Sequence, residues 1–225
     1  MKRLWQSPTV RSMVVYGASG VGFAGANLIL ARVFSTEQYA LFTLFIALSN
    51  LGYSLGPAGI DGIVNRRELE AGPALILRLT PPAAAVGLAL AVFGMAAYGM
   101  SLGLGVMLFL SCSFGAAMLV AGAKFQSEQR FGLSLTLLQS PNIILILAAL
   151  ATVVAGVRHV WLPALISTLG FVAAGLWGWI VLLAERHGKP QRSSAFAWGE
   201  ALSFAGVNAS GLVLIQMERL VIPHL

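Results

Sequence analysis

The stretch FGLSLTLLQSPNIILILAALATVVAGV, residues 131–157, decides the fold. It carries no Asp, Glu, Lys or Arg. A helix crossing a bilayer core needs roughly 20 mostly apolar residues, and this run supplies them. Yet Gln139-Ser140-Pro141-Asn142 interrupts it. At 1.5 Å per residue, about 8 to 11 residues from Phe131 is roughly 12–16 Å deep, near the midplane. Pro141 has no N–H to donate and frees the carbonyl of Leu137. Gln139 and Asn142 place side-chain amides beside it. The pattern predicts a membrane helix broken at Pro141, at the depth where transporters hold cargo between discontinuous helices. The alternative is a kink whose polar neighbours are satisfied by packing.

Working outward, six more apolar stretches come near spanning length: residues 13–33, 39–57, 79–98, 104–122, 161–184 and 198–221. Hydrophobic residues are 58% of the 225 and charged residues 10%, with mean hydropathy +0.84. A soluble domain carries about 25% charged residues, so this chain cannot cover itself with a wetted surface. That excludes a soluble enzyme, a nucleic-acid-binding domain and a disordered segment. An all-α, polytopic membrane helical bundle remains. The lone cysteine, Cys112, excludes a disulfide framework and a cysteine-rich metal site. No metal or other cofactor is expected.

The net charge of +6 is distributed in short clusters. Lys2, Arg3 and Arg11 precede span one. Arg66, Arg67 and Arg78 lie between spans two and three, Lys124 and Arg130 between four and five, and Arg186, Lys189 and Arg192 between six and seven. One side thus takes 11 of the 14 basic residues, leaving Arg32, Arg158 and Arg219 for the other. The positive-inside rule then predicts a multi-pass protein of the inner (cytoplasmic) membrane with its N-terminus in the cytoplasm. A nucleic-acid site would need a contiguous basic patch, so the expected environment is the lipid bilayer and not nucleic acid. Ala24-Gly25-Ala26 has the form of a leader-peptidase site, but the apolar run continues to Val33, so the first span is expected to stay uncleaved.

Polar groups at membrane depth are costly and deserve individual reading. In span one, Ala18, Gly22 and Ala26 form a small-residue stripe that lets another helix approach closely. Asn27 needs a partner, either an interhelical hydrogen bond or a cavity. Arg32 closes the span and can snorkel or face a cavity. Span two is rich in Ser and Gly and contains Pro57, a second candidate helix break or gate. Asp61 to Glu70 reads as a solvated loop. Span seven holds Asn208, Gln216, Glu218 and Arg219.

An enzyme is not expected, and no catalytic residue is assigned. Gly17-Ala18-Ser19-Gly20 is similar to the G-x-S-G motif of rhomboid intramembrane serine proteases. That chemistry needs a histidine at the depth of the serine. His159, His187 and His224 lie in loops or at the chain end.

A second likeness covers most of the chain. Leu30-Ala31-Arg32-Val33, then Glu37-Gln38-Tyr39-Ala40-Leu41-Phe42, resembles the polysaccharide-synthesis flippases, relatives of the multidrug and toxin extrusion transporters. Gly59-Ile60-Asp61 through Arg66, Gln126 through Phe131, and Met217-Glu218-Arg219-Leu220-Val221-Ile222 extend the resemblance. Ala40 replaces the family's glycine, and Glu218 stands where aspartate is commoner. The resemblance implies two six-helix lobes. Residues 1–192 would be the N-terminal lobe, and 193–225 the seventh helix, opening a second lobe whose remainder would be a partner. It implies alternating-access export of lipid-linked oligosaccharide, a sugar on a polyprenyl diphosphate. Arginines would hold the diphosphate by charge-assisted bonds and amides would hold the sugar. Asn27, Arg32, Gln139, Asn142 and Arg219 are the candidate substrate-binding residues. A small-molecule or drug exporter of the same fold is the alternative, favoured by acidic residues at depth. An inactive truncated membrane subunit is another.

Overall fold

The structure, a computed structural model, describes residues 8–66, 69–185 and 196–221, with side chains for 10, 12–66, 69–185 and 196–211. Among these residues there is no strand. The helices are α1 Pro8–Val33, α2 Thr36–Leu55, α3 Ile60–Arg66, α4 Pro73–Tyr98, α5 Leu102–Ser127, α6 Phe131–Val154, α7 Trp161–Ala184 and α8 Trp198–Val221. Each expected span overlaps a helix; the second, 39–57, matches α2, and the short helix α3 follows it after a break. Five helices are long and apolar enough to cross a membrane, or six if α2 and α3 form one bent span. The chain is an all-helical bundle with the make-up of a multi-pass membrane protein.

Helix ends follow local chemistry. Ser35 and Ser101 are N-caps whose hydroxyls accept from the amides of Gln38 and Leu104 at 3.3 and 3.4 Å. Gly99, with φ 64°, ends α4 in the left-handed conformation that glycine adopts without strain.

Helix α5 is the most buried of the candidate spans and packs against α2, α3, α4, α6 and α7. Two apolar clusters fill the space around it. One gathers Ile60, Ile63, Val64, Phe125, Leu137 and Phe171. The other gathers Phe34, Phe42, Phe45, Leu48, Leu108 and Leu145. Small residues let the helices touch: a Cβ on Gly52 would meet the Cys112 side chain, and one on Gly175 would come 2.6 Å from the Phe114 carbonyl. Val21, Leu28, Leu77, Leu147, Val154 and Ile180 point outward, a belt suited to lipid. Helix α1 lies along α6, and the N-terminal half of α8 lies on α2 and α3.

Two expectations are corrected. Asp61 to Glu70 is not all loop, because Ile60–Arg66 is helical. Ile60, Ile63 and Val64 recur at i, i+3 and i+4, are fully buried, and give this short helix a core-facing side. Nor is α6 broken at Pro141, for it runs unbroken from Phe131 to Val154. The carbonyl of Leu137 that Pro141 leaves free accepts the Ser140 hydroxyl at 2.7 Å. The residue beside the proline thus repairs the gap in the ladder.

Pro57 behaves differently. Helix α2 stops at Leu55, and α3 resumes at Ile60 at an angle of 49°. Ala58 and Gly59 have φ of 50° and 80°. The turn is tied by Ala58 N–H to Leu55 O at 2.9 Å and Ile60 N–H to Pro57 O at 3.0 Å. Ala201 of α8 lies directly over Gly59, and the Phe204 ring lies over Gly62.

Candidate functional site

The small-residue stripe of α1 meets α6. A Cβ on Gly22 would sit 3.3 Å from the Asn142 carbonyl oxygen, and one on Gly25 would sit 3.5 Å from Ile146 Cδ1. Ala26 is buried in the same contact region. Close approach brings a polar chain together mid-span. Ser19 Oγ donates to Gln139 Oε1 at 2.6 Å, and Asn142 Nδ2 donates to Ser19 Oγ at 2.6 Å. Ser19 is 2% exposed, whereas Gln139 and Asn142 are half-buried.

The seam therefore has a satisfied hydroxyl and partly unsatisfied amides. An amide offers two donor hydrogens and one acceptor oxygen. Among the described residues, Gln139 Nε2 and Asn142 Oδ1 have no hydrogen-bond partner. A donor and an acceptor thus remain unpaired about halfway along α6. The Ser19 hydroxyl proton goes to an amide oxygen and not to a base.

Sequence reasoning named Gln139 and Asn142 but missed Ser19 as their partner. Its place on the stripe was readable, since Ser19 is three residues before Gly22 on nearly the same face of α1, but the sequence does not say that this face meets α6. Asn27 is not part of the cluster. Its Nδ2 donates to its own helix at Phe23 O, 2.8 Å, and Tyr39 Oη of α2 donates to its Oδ1 at 3.5 Å. Asn27 thus makes the helix–helix hydrogen bond that was one of its two readings.

Arg32 closes α1 about 20 Å beyond Ser19, at 1.5 Å per residue. There it lines a cavity of about 400 Å³ with Val33, Val153, Gly156 and Arg158. Arg158 was missed as a site residue and read only as a loop charge. Arg219 belongs to α8, but its side chain lies outside the described residues. Pro57 is at the α2–α3 bend, away from the α1–α6 seam.

That bend carries one further polar group. Asp61 lies in α3, and its Oδ1 is buried without a hydrogen-bond partner. At the chain's other connections, Arg130 forms a two-pronged pair with Glu185, with Nη2 to Oε1 at 2.8 Å, and lies 3.7 Å from Glu128. Lys124 pairs with Glu128 at 3.3 Å. These contacts place the α5–α6 connection beside the end of α7.

Comparison of the chain with known protein families, with curated proteins and with solved structures finds no match. The fold and its polar seam define a multi-pass helical membrane protein.

Proposed function

We propose that this chain is a lobe of an inner-membrane exporter that moves lipid-linked oligosaccharide by alternating access. The observation that carries the reading is the α1–α6 seam. At mid-span it leaves a free amide donor on Gln139 and a free amide oxygen on Asn142. Sugar hydroxyls need such walls, and a diphosphate needs cations, for which Arg32 at the end of α1 is the candidate. Arg219 at the end of α8 is the corresponding candidate toward the second lobe. The likeness of residues 30–42 to the flippases supports the same cargo.

The test is complementation in the native host with a chromosomal Arg32→Ala substitution. Surface polysaccharide is expected to fall while the protein remains in the membrane fraction. Normal polysaccharide at normal protein level overturns the role of Arg32. Unaltered polysaccharide on deletion of the whole gene overturns the cargo.

One observation favours drug or small-molecule export on the same fold. Asp61 has a buried carboxylate oxygen without a partner in the bent second span, where a coupling proton or sodium ion could bind. Asp61→Asn would then abolish ion-driven efflux of a cationic dye. In a flippase reading, polysaccharide export is the process that changes.

A further inference from the structure

The cavity at the outer end of the α1–α6 seam has two cationic walls and no acidic one: its lining is Arg32, Val33, Val153, Gly156 and Arg158. Among the described residues neither arginine has an ion-pair or hydrogen-bond partner. The nearby acid Glu37 lines a separate cavity with Tyr98 and Gly99.

The loop that presents Arg158 is pinned at both ends. Helix α6 closes with Gly156, φ 65°, whose N–H bonds Val153 O at 3.0 Å, while Val157 N–H bonds Thr152 O at 3.1 Å. Two residues after Arg158, the Val160 amide donates to Gln38 Oε1 at 3.0 Å, and Val160 is fully buried. Trp161 N–H also reaches His159 Nδ1 at 3.4 Å. Gln38 belongs to α2 and follows Arg32 by one short turn, so it ties the two arginine-bearing connections together. The dipoles do not decide the sign here. Two helix C-termini (α1, α6) and two N-termini (α2, α7) meet at this end, and their partial charges oppose one another. Within the cavity lining the two guanidiniums are the formal charges.

We infer that Arg32 and Arg158 form a binding site for a phosphate anion at the outer mouth of the seam, with Gln38 as the residue that positions the Arg158 loop. Guanidinium is planar and matches phosphate oxygens bidentately. The phosphate could belong to a membrane-lipid headgroup or to a free or lipid-linked diphosphate. The inference shares Arg32 with the export proposal but not its fate, because binding is read without transport.

The experiment uses the full chain purified in a neutral detergent. Isothermal titration is run with inorganic pyrophosphate and, separately, with dihexanoyl phosphatidylglycerol. One saturable site is expected. Arg32→Gln and Arg158→Gln should each weaken it about ten-fold or more, as loss of a charge-assisted pair implies. Gln38→Ala should weaken it less. Binding of pyrophosphate assigns the site to free or cargo phosphate, and binding of the short lipid alone assigns it to headgroups. Absence of saturable binding of either probe to the unsubstituted protein overturns the inference. So does binding that survives in the Arg32→Gln/Arg158→Gln double variant. Circular dichroism confirms that each variant folds.

Discussion

Replacing Ser19 with Ala removes both bonds of the mid-span chain at once. The hydroxyl donates to Gln139 Oε1 and accepts from Asn142 Nδ2, each at 2.6 Å. Alanine keeps the small size that the Gly22 crossing needs, so packing should not change. Side-chain hydrogen bonds inside membrane proteins are worth about 0.6 kcal/mol on average and about 1.7 at most. Two of them give about 1 kcal/mol of destabilisation at the average and about 3 at the upper value. The assay is reversible unfolding in mixed micelles by added SDS, read by circular dichroism. Ser203→Ala is the control, because that hydroxyl only bonds back to Gly199 O on an exposed face, and it should change almost nothing. A double-mutant cycle sharpens the test. With Asn142 replaced by Leu, one of the two bonds is already gone, and Ser19→Ala should then lose about half as much. A Ser19→Ala effect no larger than the Ser203→Ala control, or strict additivity in the cycle, refutes the seam as described.

Further outcomes follow from other contacts. Ser140→Ala leaves the Leu137 carbonyl without its 2.7 Å donor and should destabilise by about 1–3 kcal/mol. Adding Pro141→Ala restores a backbone N–H for that carbonyl and should recover the loss in the same SDS titration. Cysteines replacing Gly62 and Phe204 in a Cys112→Ala background should form a disulfide, since a Cβ at 62 would lie 2.7 Å from the Phe204 ring. Adding Gly59→Val should abolish that cross-link, because φ 80° disfavours a branched side chain and the new Cβ would strike Ala201 O. Thiol labelling of single cysteines in residues 128–130 and 186–192 should report the same face of the bilayer, and labelling from opposite faces would sink the topology.

Of the seven expected spans, five or six are long and apolar enough to cross a membrane, and they were legible because hydrophobic length is a one-dimensional property that segments such as 161–184 carry without interruption. Gln139 and Asn142 were legible too, since i, i+3 spacing puts them on one side of any helix. Their partner was not. Ser19 lies 120 residues from Gln139 in sequence, and nothing local states that α1 packs on α6. Arg158 escaped for the same reason: its proximity to Arg32 is made by the Gln38–Val160 tie between two connections. Helix α3 was hidden by composition, because Asp61, Asn65 and Arg66 outweigh the three buried residues that make it amphipathic.

The two prolines singled out in the sequence have opposite structural consequences, and the cause is their neighbours. Pro141 follows a serine whose hydroxyl replaces the missing donor, so α6 stays one continuous helix carrying Gln139 and Asn142. Pro57 is followed by Ala58 and Gly59, both in the left-handed region at φ 50° and 80°, which ends the helix instead of repairing it. The span bends there by 49°, and α8 covers the bend through Ala201 and Phe204, with Arg66 stacked 4.7 Å over the Phe204 ring. In alternating access, recognition needs a wall that holds its geometry, while conversion between states needs an element that can change angle. In this chain the repaired proline lies in the amide-bearing wall and the unrepaired one in the bend. If the chain works by alternating access as proposed, movement is expected at residues 56–59 and against α8, with the α1–α6 seam carried as a unit.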